Sequence, residues 1–261
     1  MEMKIILTIA GSDTSAGAGI QQDLKTITAL GQYALTVTTA LTAQNTMGVT
    51  KVMDVPDDML IAQLDAVFSD FNIDAVKIGM LPSLSASRIV TERLADRKIP
   101  IVCDPVMIST SGTRLMSEEC TEYVKNSLFP LCTLVTPNIP EARSLAGTGN
   151  DIDNETVGRM LSQRHNTSVL LKGGHGEGNI MCDTLFTTDG EEFSFCSPKV
   201  VTRNLHGTGC TMSSGVAAYL ALGLPLPEAV RRAKEVIDNG IANAKDLTIG
   251  HGNGPLWISM K

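Results

Sequence analysis

The sequence predicts an α/β protein with three layers, in which helices cover both faces of a mostly parallel central sheet. Short apolar runs rich in β-branched residues alternate along the chain with longer segments of helical periodicity. The runs are apolar throughout, as expected of strands that are buried on both faces. No internal repeat, low-complexity segment or linker interrupts the alternation, so residues 1–261 are expected to form a single domain.

The first part of the chain contains two strands, each followed by a helix. The run "KIILTIA" predicts a buried strand at 4–10, and the periodic segment 18–31 predicts a helix that ends at Gly31. The run "ALTVTTAL" predicts a second strand at 34–41. The helix expected at 56–71 begins with Pro-Asp-Asp, which is typical of a first helical turn.

The middle of the chain continues the alternation with three strands and two helices. Each strand is short and apolar and ends in a polar or glycine residue. Helices are expected at 83–97 and 117–128. The strands "DAVKIGM", "IPIVCDPVM" and "CTLVTPN" are expected at 74–80, 99–107 and 132–138.

The last part of the chain departs from a strictly parallel pattern. The run "TSVLLKGGHG" predicts a strand at 167–176 that ends in glycines. The segment 182–195 predicts an antiparallel hairpin, because it alternates on both sides of an Asp-Gly pair. Helices at 208–222 and 227–244 complete the expected order.

Composition excludes several classes of function. The net charge is −7, and no dense run of Lys or Arg occurs, which argues against a nucleic-acid partner. No apolar run approaches the roughly 20 residues of a membrane span. The first residues lack the basic start, long apolar region and cleavage site of a signal peptide. We therefore expect a cytoplasmic protein without a nucleic-acid or membrane partner.

The spacing of the six cysteines argues against a metal or redox motif, because no Cys-x-x-Cys pair occurs. A disulfide framework is not expected in a chain of this length without export signals, so we expect a reducing compartment. Most of these residues are then small core hydrophobes. The cysteines are Cys103, Cys120, Cys132, Cys182, Cys196 and Cys210.

Polar and glycine-rich segments follow six of the expected strands. In open parallel sheets, ligands bind outside the carboxyl ends of the strands. A simple turn would explain any one of these segments, but their recurrence at one edge predicts a binding site. The segments are "GSDTSAGAG", "TAQNTMG", "IGM", "DPVM", "TPNIPEA" and "LKGGH".

The first of these loops, residues 11–19, does not match the standard nucleotide loops. Ile20 follows its last glycine where a Walker loop needs Lys, and the pattern GxGxxG is absent. Such a loop instead lets the backbone approach a small ligand closely. Asp23, in the helix that follows, is a candidate acceptor for ligand donors, and stabilisation of the helix N-terminus by charge is the alternative.

Polar side chains at three other strand ends are further candidates. Lys172 is placed to bind phosphate oxygens, with a surface lysine as the alternative. Asn138 and Glu141 share a face if they open a helix, which suits a magnesium ion held largely through its waters. A helix N-cap and a first-turn acid are the alternative for this pair. Asp104 faces a metal or phosphate, or caps a turn.

The stretch "HGTGC" leads into an apolar-periodic segment and raises the question of what Cys210 does. If a helix begins near Thr208, the amides of residues 207–210 form an anion hole for a transferring phosphoryl group. The positive helix end would lower the pKa of the Cys210 thiol below its usual ~8.5, so that it acts as a base. A nucleophilic cysteine would need an activating base, and His206 has no obvious orienting partner.

The ordered set of motifs resembles the hydroxymethylpyrimidine and hydroxymethylpyrimidine-phosphate kinases of thiamine biosynthesis, within the ribokinase-like superfamily. The matching stretches are "TIAGSDTSAGAGIQQDLKT", "TAQNTMGV", "KIGML", "CDPVM", "TPNIPEA", "LKGGH" and "NLHGTGC". The resemblance implies a ribokinase-like fold and two ATP-dependent steps. These phosphorylate 4-amino-5-hydroxymethyl-2-methylpyrimidine, and then its monophosphate to the diphosphate.

The resemblance also implies a role for particular residues. Cys210 is the catalytic base, where sugar and pyridoxal kinases of the superfamily have aspartate. The catalytic set further contains Gly207, Thr208, Gly209 and Lys172, and the last three also bind the nucleotide. Magnesium is linked to Asp104, Asn138 and Glu141. The pyrimidine is bound by Gly11, Asp23, Gln44, Met80 and Val106. The family further implies ATP and Mg²⁺ as cofactors and a homodimer.

Two departures and two alternatives accompany the resemblance. Leu205 stands where relatives often have threonine, and Ala16 lies where proline and a further glycine are common. A pyridoxal or pyridoxine kinase is the alternative enzyme, although Gln44 argues against it. A vitamin-sensing or scaffold domain is the non-enzyme alternative, and the presence of every implied catalytic residue argues against it.

Overall fold

The computed structural model describes residues 2–107, 116–173 and 179–259. In these ranges nine strands form one sheet. The strands are β1 (Ile5–Asp13), β2 (Tyr33–Asn45), β3 (Gly48–Asp54), β4 (Ala75–Ile78), β5 (Ile101–Cys103), β6 (Leu134–Val135), β7 (Ser168–Leu171), β8 (Ile180–Phe186) and β9 (Glu192–Pro198).

The order of strands across the sheet is β3-β2-β1-β4-β5-β6-β7-β8-β9. Six neighbouring strands are parallel to one another: β2, β1, β4, β5, β6 and β7. β3 pairs antiparallel at one edge, and the hairpin β8–β9 pairs antiparallel at the other. The predicted α/β class with a mostly parallel sheet is confirmed.

Eight α-helices in the described ranges cover the sheet. Helices α2 to α6 pack with one apolar core, and α1, α7 and α8 pack with the other, so the sheet is the middle of three layers. The helices are α1 (Gly19–Ala29), α2 (Asp57–Asp70), α3 (Leu84–Leu94), α4 (Glu118–Tyr123), α5 (Ile139–Ala146), α6 (Asn154–His165), α7 (Thr208–Ala221) and α8 (Leu226–Ala244).

The central strands are shorter than expected, because the polar ends of the predicted strands are loops that reach the site. The expected strand 99–107 is paired only over Ile101–Cys103, and 132–138 only over Leu134–Val135. The expected strand 167–176 ends at Leu171, and residues 174–176 lie outside the described residues. Burial explains the difference, since the paired residues are all buried.

Four elements differ from the sequence expectation. The "TAQNTMG" segment is not a loop at the end of a strand, because β2 continues through it to Asn45 and turns into β3. Helices α5 and α6 were not expected as elements. The segment expected as a helix over 117–128 is α4 followed by a π-helical turn at Val124–Leu128, and Phe129–Leu131 is a 3₁₀ turn.

The expectation that the cysteines form no disulfide is wrong for one pair. Cys182 and Cys196 are joined by a disulfide bond. They lie directly opposite each other in the β8–β9 ladder, and the Asp-Gly hairpin that was expected from the sequence brings them together. Spacing arguments miss such a pair, because register between two antiparallel strands, not distance along the chain, sets the contact. The other four cysteines are free.

The chain reverses direction across the sheet between β1 and β4, which are neighbours. It first moves from β1 outwards to β2 and β3, then returns to β4 and continues the other way. Ligands of open α/β sheets bind outside the carboxyl ends of the strands at such a point. None of the helices in the described ranges is long and apolar enough to cross a membrane.

Candidate active site

Lys172 and Asp104 meet at the carboxyl ends of the central strands. The Lys172 Nζ donates to Asp104 Oδ1 at 2.7 Å, and the Thr136 hydroxyl donates to the same oxygen at 3.0 Å. Burial disfavours the charge on Lys172, but Asp104 and Glu141 outweigh this effect and raise the pKa of the ammonium. Lys172 is therefore a fixed cation beside the site, and its alternative as a surface lysine is excluded by this burial.

The start of α7 faces this ion pair. A Cβ atom built on Gly209 would lie 3.1 Å from Asp104 Oδ2 and 3.3 Å from Lys172 Nζ, so the glycine backbone packs directly against the pair. The amides of Gly209 and Cys210 lie in the first helical turn, where a helix offers no acceptor of its own. These amides and Lys172 together offer donors to an anionic group, beside the Asp104 carboxylate that pairs with Lys172.

Gly207 precedes α7 and shapes its entry. Its φ of +87° is in the left-handed region, and a Cβ there would lie 1.9 Å from the Gly17 carbonyl oxygen. Only glycine fits both the conformation and the close approach. The Thr208 amide donates to the Leu205 carbonyl at 3.3 Å, so it is partly engaged within the turn. The expected helix start at Thr208 is confirmed.

The pKa expected for Cys210 is wrong in direction. Burial raises the pKa of this thiol to about 11, and the nearby Lys77 ammonium and Gly19 amide only partly offset the rise. Asp23 and Asp104 raise it further. The first-turn position alone had suggested a lowered pKa, but desolvation and two carboxylates outweigh it. Cys210 is therefore a thiol at neutral pH, and only a small fraction is thiolate.

Asp23 does not face a ligand in this structure. Its side chain is fully buried, and Oδ2 accepts hydrogen bonds from the Thr8 hydroxyl at 2.6 Å and Lys77 Nζ at 2.7 Å. Burial raises the pKa of Asp23 and Lys77 opposes the rise. The expected contact between Asp23 and the substrate is thus not supported, because the carboxylate lies beneath the site with no exposed surface.

Asp13 organises the first loop. Its Oδ1 accepts hydrogen bonds from the amide and hydroxyl of Ser15, and its Oδ2 accepts one from the Ala18 amide. His206 Nε2 lies 2.8 Å from Asp13 Oδ2, so the expectation that His206 lacks an orienting partner is wrong. Burial raises the pKa of Asp13, but the hydrogen bonds from His206 and Ser15 outweigh it and lower the pKa.

Gln44 lies beside this pair. Its Nε2 is 3.3 Å from His206 Nε2, and its backbone is held by the Thr14 hydroxyl, which donates to the Gln44 carbonyl at 2.6 Å. A carboxylate only accepts hydrogen bonds, so the His206 Nε2 proton points to Asp13. His206 Nε2 therefore cannot also accept from Gln44. The Gln44 amide group keeps its donor capacity for a ligand.

The other residues expected to contact the pyrimidine lie near the carboxyl ends of β1, β4 and β5. A Cβ on Gly11 would be 3.1 Å from the Met80 Sδ, so these two residues pack together. The Thr39 hydroxyl fixes the Met80 carbonyl at 2.7 Å. Val106 is half-buried next to Asp104, and its amide donates to the Asp104 carbonyl. The structure thus brings Gly11 and Met80 together.

The magnesium-linked residues fit a cation only through water. Asn138 Oδ1 accepts from the Glu141 amide, and the Glu141 carboxylate accepts from the Asn138 amide, both at 2.9 Å. This capping box begins α5, so Asn138 is a helix cap, which was the alternative interpretation. In the described part of the chain no three acidic, His or Cys side chains form a direct metal site. Asp104 and Glu141 fit a magnesium ion that keeps its water shell.

Glu141 has an unusual protonation equilibrium. Burial raises its pKa to about 7, Lys172 lowers it and Asp104 raises it. The side chain is 8% exposed, so desolvation of the carboxylate is the main effect. A cation near Glu141 would favour the charged form of its carboxylate.

The comparison with known proteins assigns the family. The family described as phosphomethylpyrimidine kinase matches residues 13–257. The chain belongs to this family. It is 43% identical over 254 residues to the hydroxymethylpyrimidine/phosphomethylpyrimidine kinase of Escherichia coli, covering 96% of this chain and 95% of that protein. It is 47% identical to a thiamine biosynthesis bifunctional protein of Geobacter sulfurreducens, covering 95% of this chain but 51% of that longer protein.

Two solved structures are similar to the chain. A phosphomethylpyrimidine kinase from Clostridium difficile 630 is 41% identical with a TM-score of 0.78, covering 91% of this chain and 99% of that one. An ADP complex of a Bacillus subtilis pyridoxal kinase is 30% identical with a TM-score of 0.90, covering 99% and 98%. The predicted family, ribokinase-like fold and phosphotransferase class are confirmed.

Sequence reasoning missed three features of the site. These are the buried Lys77–Asp23 pair, the His206–Asp13 pair and the charged surroundings of Cys210. Lys77 is a lysine within an otherwise apolar strand, "AVKI", and this signal of a buried charge was present in the sequence. The other two depend on packing between segments far apart in the chain, for which no local signal exists.

Proposed function

We propose that this kinase uses ATP to phosphorylate 4-amino-5-hydroxymethyl-2-methylpyrimidine and then converts the monophosphate to the diphosphate, for thiamine diphosphate biosynthesis. One observation carries the proposal. The Lys172 ammonium lies against the backbone of Gly209, next to the Cys210 thiol, at the start of α7. The names of the relatives and the matched family support the substrate.

Cys210 is proposed to accept the proton of the substrate hydroxyl. Because its pKa is about 11, the reactive form is the small thiolate fraction that exists at neutral pH. The hydroxyl oxygen bonds to phosphorus while its proton moves to sulfur, and the bond from phosphorus to the ADP oxygen breaks. Phosphoryl transfer depends mainly on positioning and electrostatics, so a weakly populated base is sufficient.

Lys172 and the first-turn amides are proposed to stabilise the transferring phosphoryl group. The amides of Gly209 and Cys210 donate to its oxygens, and the Lys172 ammonium lies against the same turn. Thr208 is proposed to bind the nucleotide together with Lys172 and Gly209. Gly207 gives the turn before α7 its shape. The ADP complex of the Bacillus subtilis pyridoxal kinase supports a nucleotide in this fold.

Magnesium is proposed to be held through water by Asp104 and Glu141. When bound, Mg²⁺ neutralises charge on the nucleotide phosphates. Asp104 keeps Lys172 in place, because it accepts the Lys172 hydrogen bond. Glu141 keeps the start of α5 in place through the capping box with Asn138. These contacts rigidify the carboxylates that would bind the metal's waters.

Gln44, Met80 and Gly11 are proposed to recognise the pyrimidine, with Val106 at the edge of the site. An aminopyrimidine edge carries donors and acceptors, and the Gln44 NH2 group, whose partner oxygen accepts from the Thr42 hydroxyl at 3.2 Å, can donate to a ring acceptor. The Met80 thioether offers an adaptable apolar contact to the ring. Gly11 leaves room for the Met80 thioether, since a Cβ at its position would lie only 3.1 Å from Met80 Sδ.

Phosphorylation of pyridoxine is the second candidate function. It is favoured by the high TM-score of 0.90 with a pyridoxal kinase, which exceeds the 0.78 of the phosphomethylpyrimidine kinase. Sequence identity favours the pyrimidine, at 41% against 30%. Fold similarity alone does not determine the substrate.

The deciding experiment measures ATP consumption and product masses with three substrates: the hydroxymethylpyrimidine, its monophosphate and pyridoxine. The proposal expects mono- and diphosphate from the pyrimidine series and a much lower kcat/KM for pyridoxine. A higher kcat/KM for pyridoxine would assign the second function. Calorimetric binding of the pyrimidine without turnover would support a non-enzymatic sensor.

We further propose that the chain is a cytoplasmic single domain, 1–261, that forms a homodimer. Leu41 and Met53 are directly paired between β2 and β3 and are 45% and 55% exposed, which leaves an apolar surface at this edge of the sheet. Apolar surface of this kind is typical of an interface. Analytical ultracentrifugation tests the dimer, and Leu41→Glu should favour the monomer if this surface is buried in it.

A further inference from the structure

Lys77 has no role in the site as described, yet it is fully buried under it. Its Nζ lies 2.7 Å from Asp23 Oδ2, and both side chains are 0% exposed. Asp23 Oδ1 is buried and has no hydrogen-bond partner in the structure. Burying an ion pair is costly, and apolar residues of similar size would often fill the same space with equal or greater stability. Stability alone therefore does not explain why the Lys77–Asp23 pair is buried here.

The Lys77 side chain lies on the face of the sheet that α7 covers. It shares that face with Ala75, two residues earlier, and Ala75 belongs to the apolar core of α7 and α8. A Cβ built on Gly79, two residues later, would lie 2.7 Å from Lys77 Nζ. The ammonium therefore extends along β4 towards the carboxyl end of the sheet, and Gly79 leaves the space for it.

Cys210 begins α7 at this end of the sheet. The neighbouring Gly209 packs against the Lys172–Asp104 pair, and the charges of Lys77 and Asp23 also act on the Cys210 thiol. Lys77 is the group that most favours its thiolate, while the carboxylates oppose it. The charged groups that face Cys210 or its neighbours are Asp23 of α1, Lys77 of β4, Asp104 after β5, Lys172 after β7 and, beside Lys172, Glu141 of α5.

We propose that Lys77 is a positioning residue for phosphoryl transfer, whose buried ammonium, held by Asp23, stabilises the thiolate of Cys210. The proposal rests on the proposed function of Cys210 as the proton acceptor. The thiol first loses its proton to solvent, and the thiolate charge is compensated by Lys77. The thiolate then accepts the substrate hydroxyl proton while the oxygen bonds to phosphorus and ADP leaves with the electron pair of the broken P–O bond.

Alkylation of Cys210 by iodoacetamide tests this without relying on kinase activity. Iodoacetamide reacts with the thiolate, so its rate well below the thiol pKa measures the thiolate fraction. The rate is followed by peptide mass spectrometry between about pH 7.5 and 9.5. We expect Lys77→Met to slow alkylation of Cys210 about tenfold or more at each pH, because a one-unit rise in pKa lowers the thiolate fraction tenfold.

The Asp23→Asn variant should change the rate in the opposite direction. Removing the carboxylate takes away a charge that opposes the Cys210 thiolate and leaves Lys77 to Cys210 and Asp104, so alkylation should be faster than in the unmodified protein. A merely structural role would expose Cys210 and speed alkylation in both variants. Faster or unchanged alkylation in Lys77→Met would therefore overturn the proposal, as would slower alkylation in Asp23→Asn.

Two further variants control the test. Lys4→Met removes a lysine that pairs with Asp74 at 3.2 Å before the amino ends of β1 and β4, and it should leave Cys210 alkylation unchanged. If Lys77→Met does not fold, Lys77→Met/Asp23→Asn, which removes both buried charges, is compared with Asp23→Asn. The proposal expects slower Cys210 alkylation in the double variant, and equal or faster alkylation would overturn it. Kinase assays of Cys210→Ala separate this proposal from the proposed function. If this variant keeps full activity while the alkylation rates of the other variants are as expected, Cys210 is not the base, but Lys77 still stabilises its thiolate.

Discussion

His206 Nε2 lies 2.8 Å from Asp13 Oδ2 and joins the start of α7 to the first loop. The same carboxylate holds Ser15 and Ala18, and the Gln44 amide nitrogen lies 3.3 Å from the same His206 Nε2. One histidine therefore holds the loop and packs against the neighbouring recognition residue. This contact lies between the phosphate-binding turn and the proposed pyrimidine site.

The first prediction concerns this contact. His206→Asn should raise the KM for the pyrimidine about tenfold, because a hydrogen bond to a carboxylate contributes about 1.5–3 kcal/mol. The KM for ATP should change much less. Steady-state kinetics with each substrate varied in turn measures both. His251→Asn, at an exposed histidine, is the control and should match the unmodified enzyme. Equal increases in both KM values would mean that His206 acts on the fold as a whole.

The second prediction concerns the base. At a Cys210 pKa of about 11, kcat should rise about tenfold per pH unit between roughly pH 7 and 9, because the thiolate is the reactive form. Cys210→Ala should lower kcat about 10²-fold or more and lose this slope, with little change in ATP binding. Stopped kinase assays and nucleotide titration measure these effects. A flat pH profile in the unmodified enzyme would refute the thiolate base.

The third prediction concerns Glu141, whose pKa is raised to about 7 by burial. The folded state then binds this proton more tightly than the unfolded state, where the carboxyl has its usual value of 4.5. The free energy of unfolding therefore falls as pH rises from about 4.5 to 7 and is constant above. Glu141→Gln keeps the capping box and removes this loss.

The measurement is the Tm of Glu141→Gln and of the unmodified protein in EDTA without nucleotide. We expect the variant to gain Tm relative to the unmodified protein on going from pH 5 to pH 8. Glu155→Gln, at an exposed first-turn acid of α6, is the matched control and should show no such gain. An identical pH dependence for Glu141→Gln and the unmodified protein would contradict the raised pKa.

The fourth prediction concerns Ala16, which has a φ of +57° in the first loop. Left-handed backbone costs a non-glycine residue about 1–2 kcal/mol, and replacement by glycine removes this cost. The extra freedom of glycine in the unfolded chain offsets part of that gain in stability. Ala16→Gly should therefore raise the free energy of unfolding by about 0.5–1 kcal/mol. Urea denaturation measures it. Ala66→Gly, in the exposed interior of α2, should have the opposite sign.

The fifth prediction concerns the hairpin β8–β9. The denatured protein should expose four reactive thiols before reduction and six after it, because Cys182 and Cys196 are bonded. Cys196→Ala should expose five thiols without reductant, since Cys182 loses its partner. Closing a loop of about 15 residues stabilises a fold by about 3 kcal/mol, so reduction should lower the free energy of unfolding. Six thiols before reduction would exclude the bond.

Local sequence patterns predict much of this fold, because most strands and helices carry their own signal. The helix start at Thr208 follows from glycines that precede an apolar-periodic run. Helix α6 was missed because its polar surface leaves few apolar residues to mark the period, although Asp153 supplies a regular N-cap. β3 was missed because its face is largely exposed, so its pattern resembles a loop.

The site was predicted less completely, for a physical reason. Lys172, Gly209 and Met80 lie at strand or helix ends, and these positions follow from the order of elements. The environment of Cys210 depends on the charges around it, and a helix N-terminus alone predicts the wrong direction for its pKa. Asp23 was expected at a ligand, but its partner on β4 holds it beneath the sheet edge.

The close approach of Gly207 to Gly17 affects how the site assembles during synthesis. Asp13 and His206, which flank this approach, are 193 residues apart in the chain. Contacts over such a separation form late, because closing a long loop costs entropy before any contact is gained. A ribosome must have made α7 before the first loop meets its partner. Partial chains that stop before α7 can therefore build strands of this sheet but not a working site.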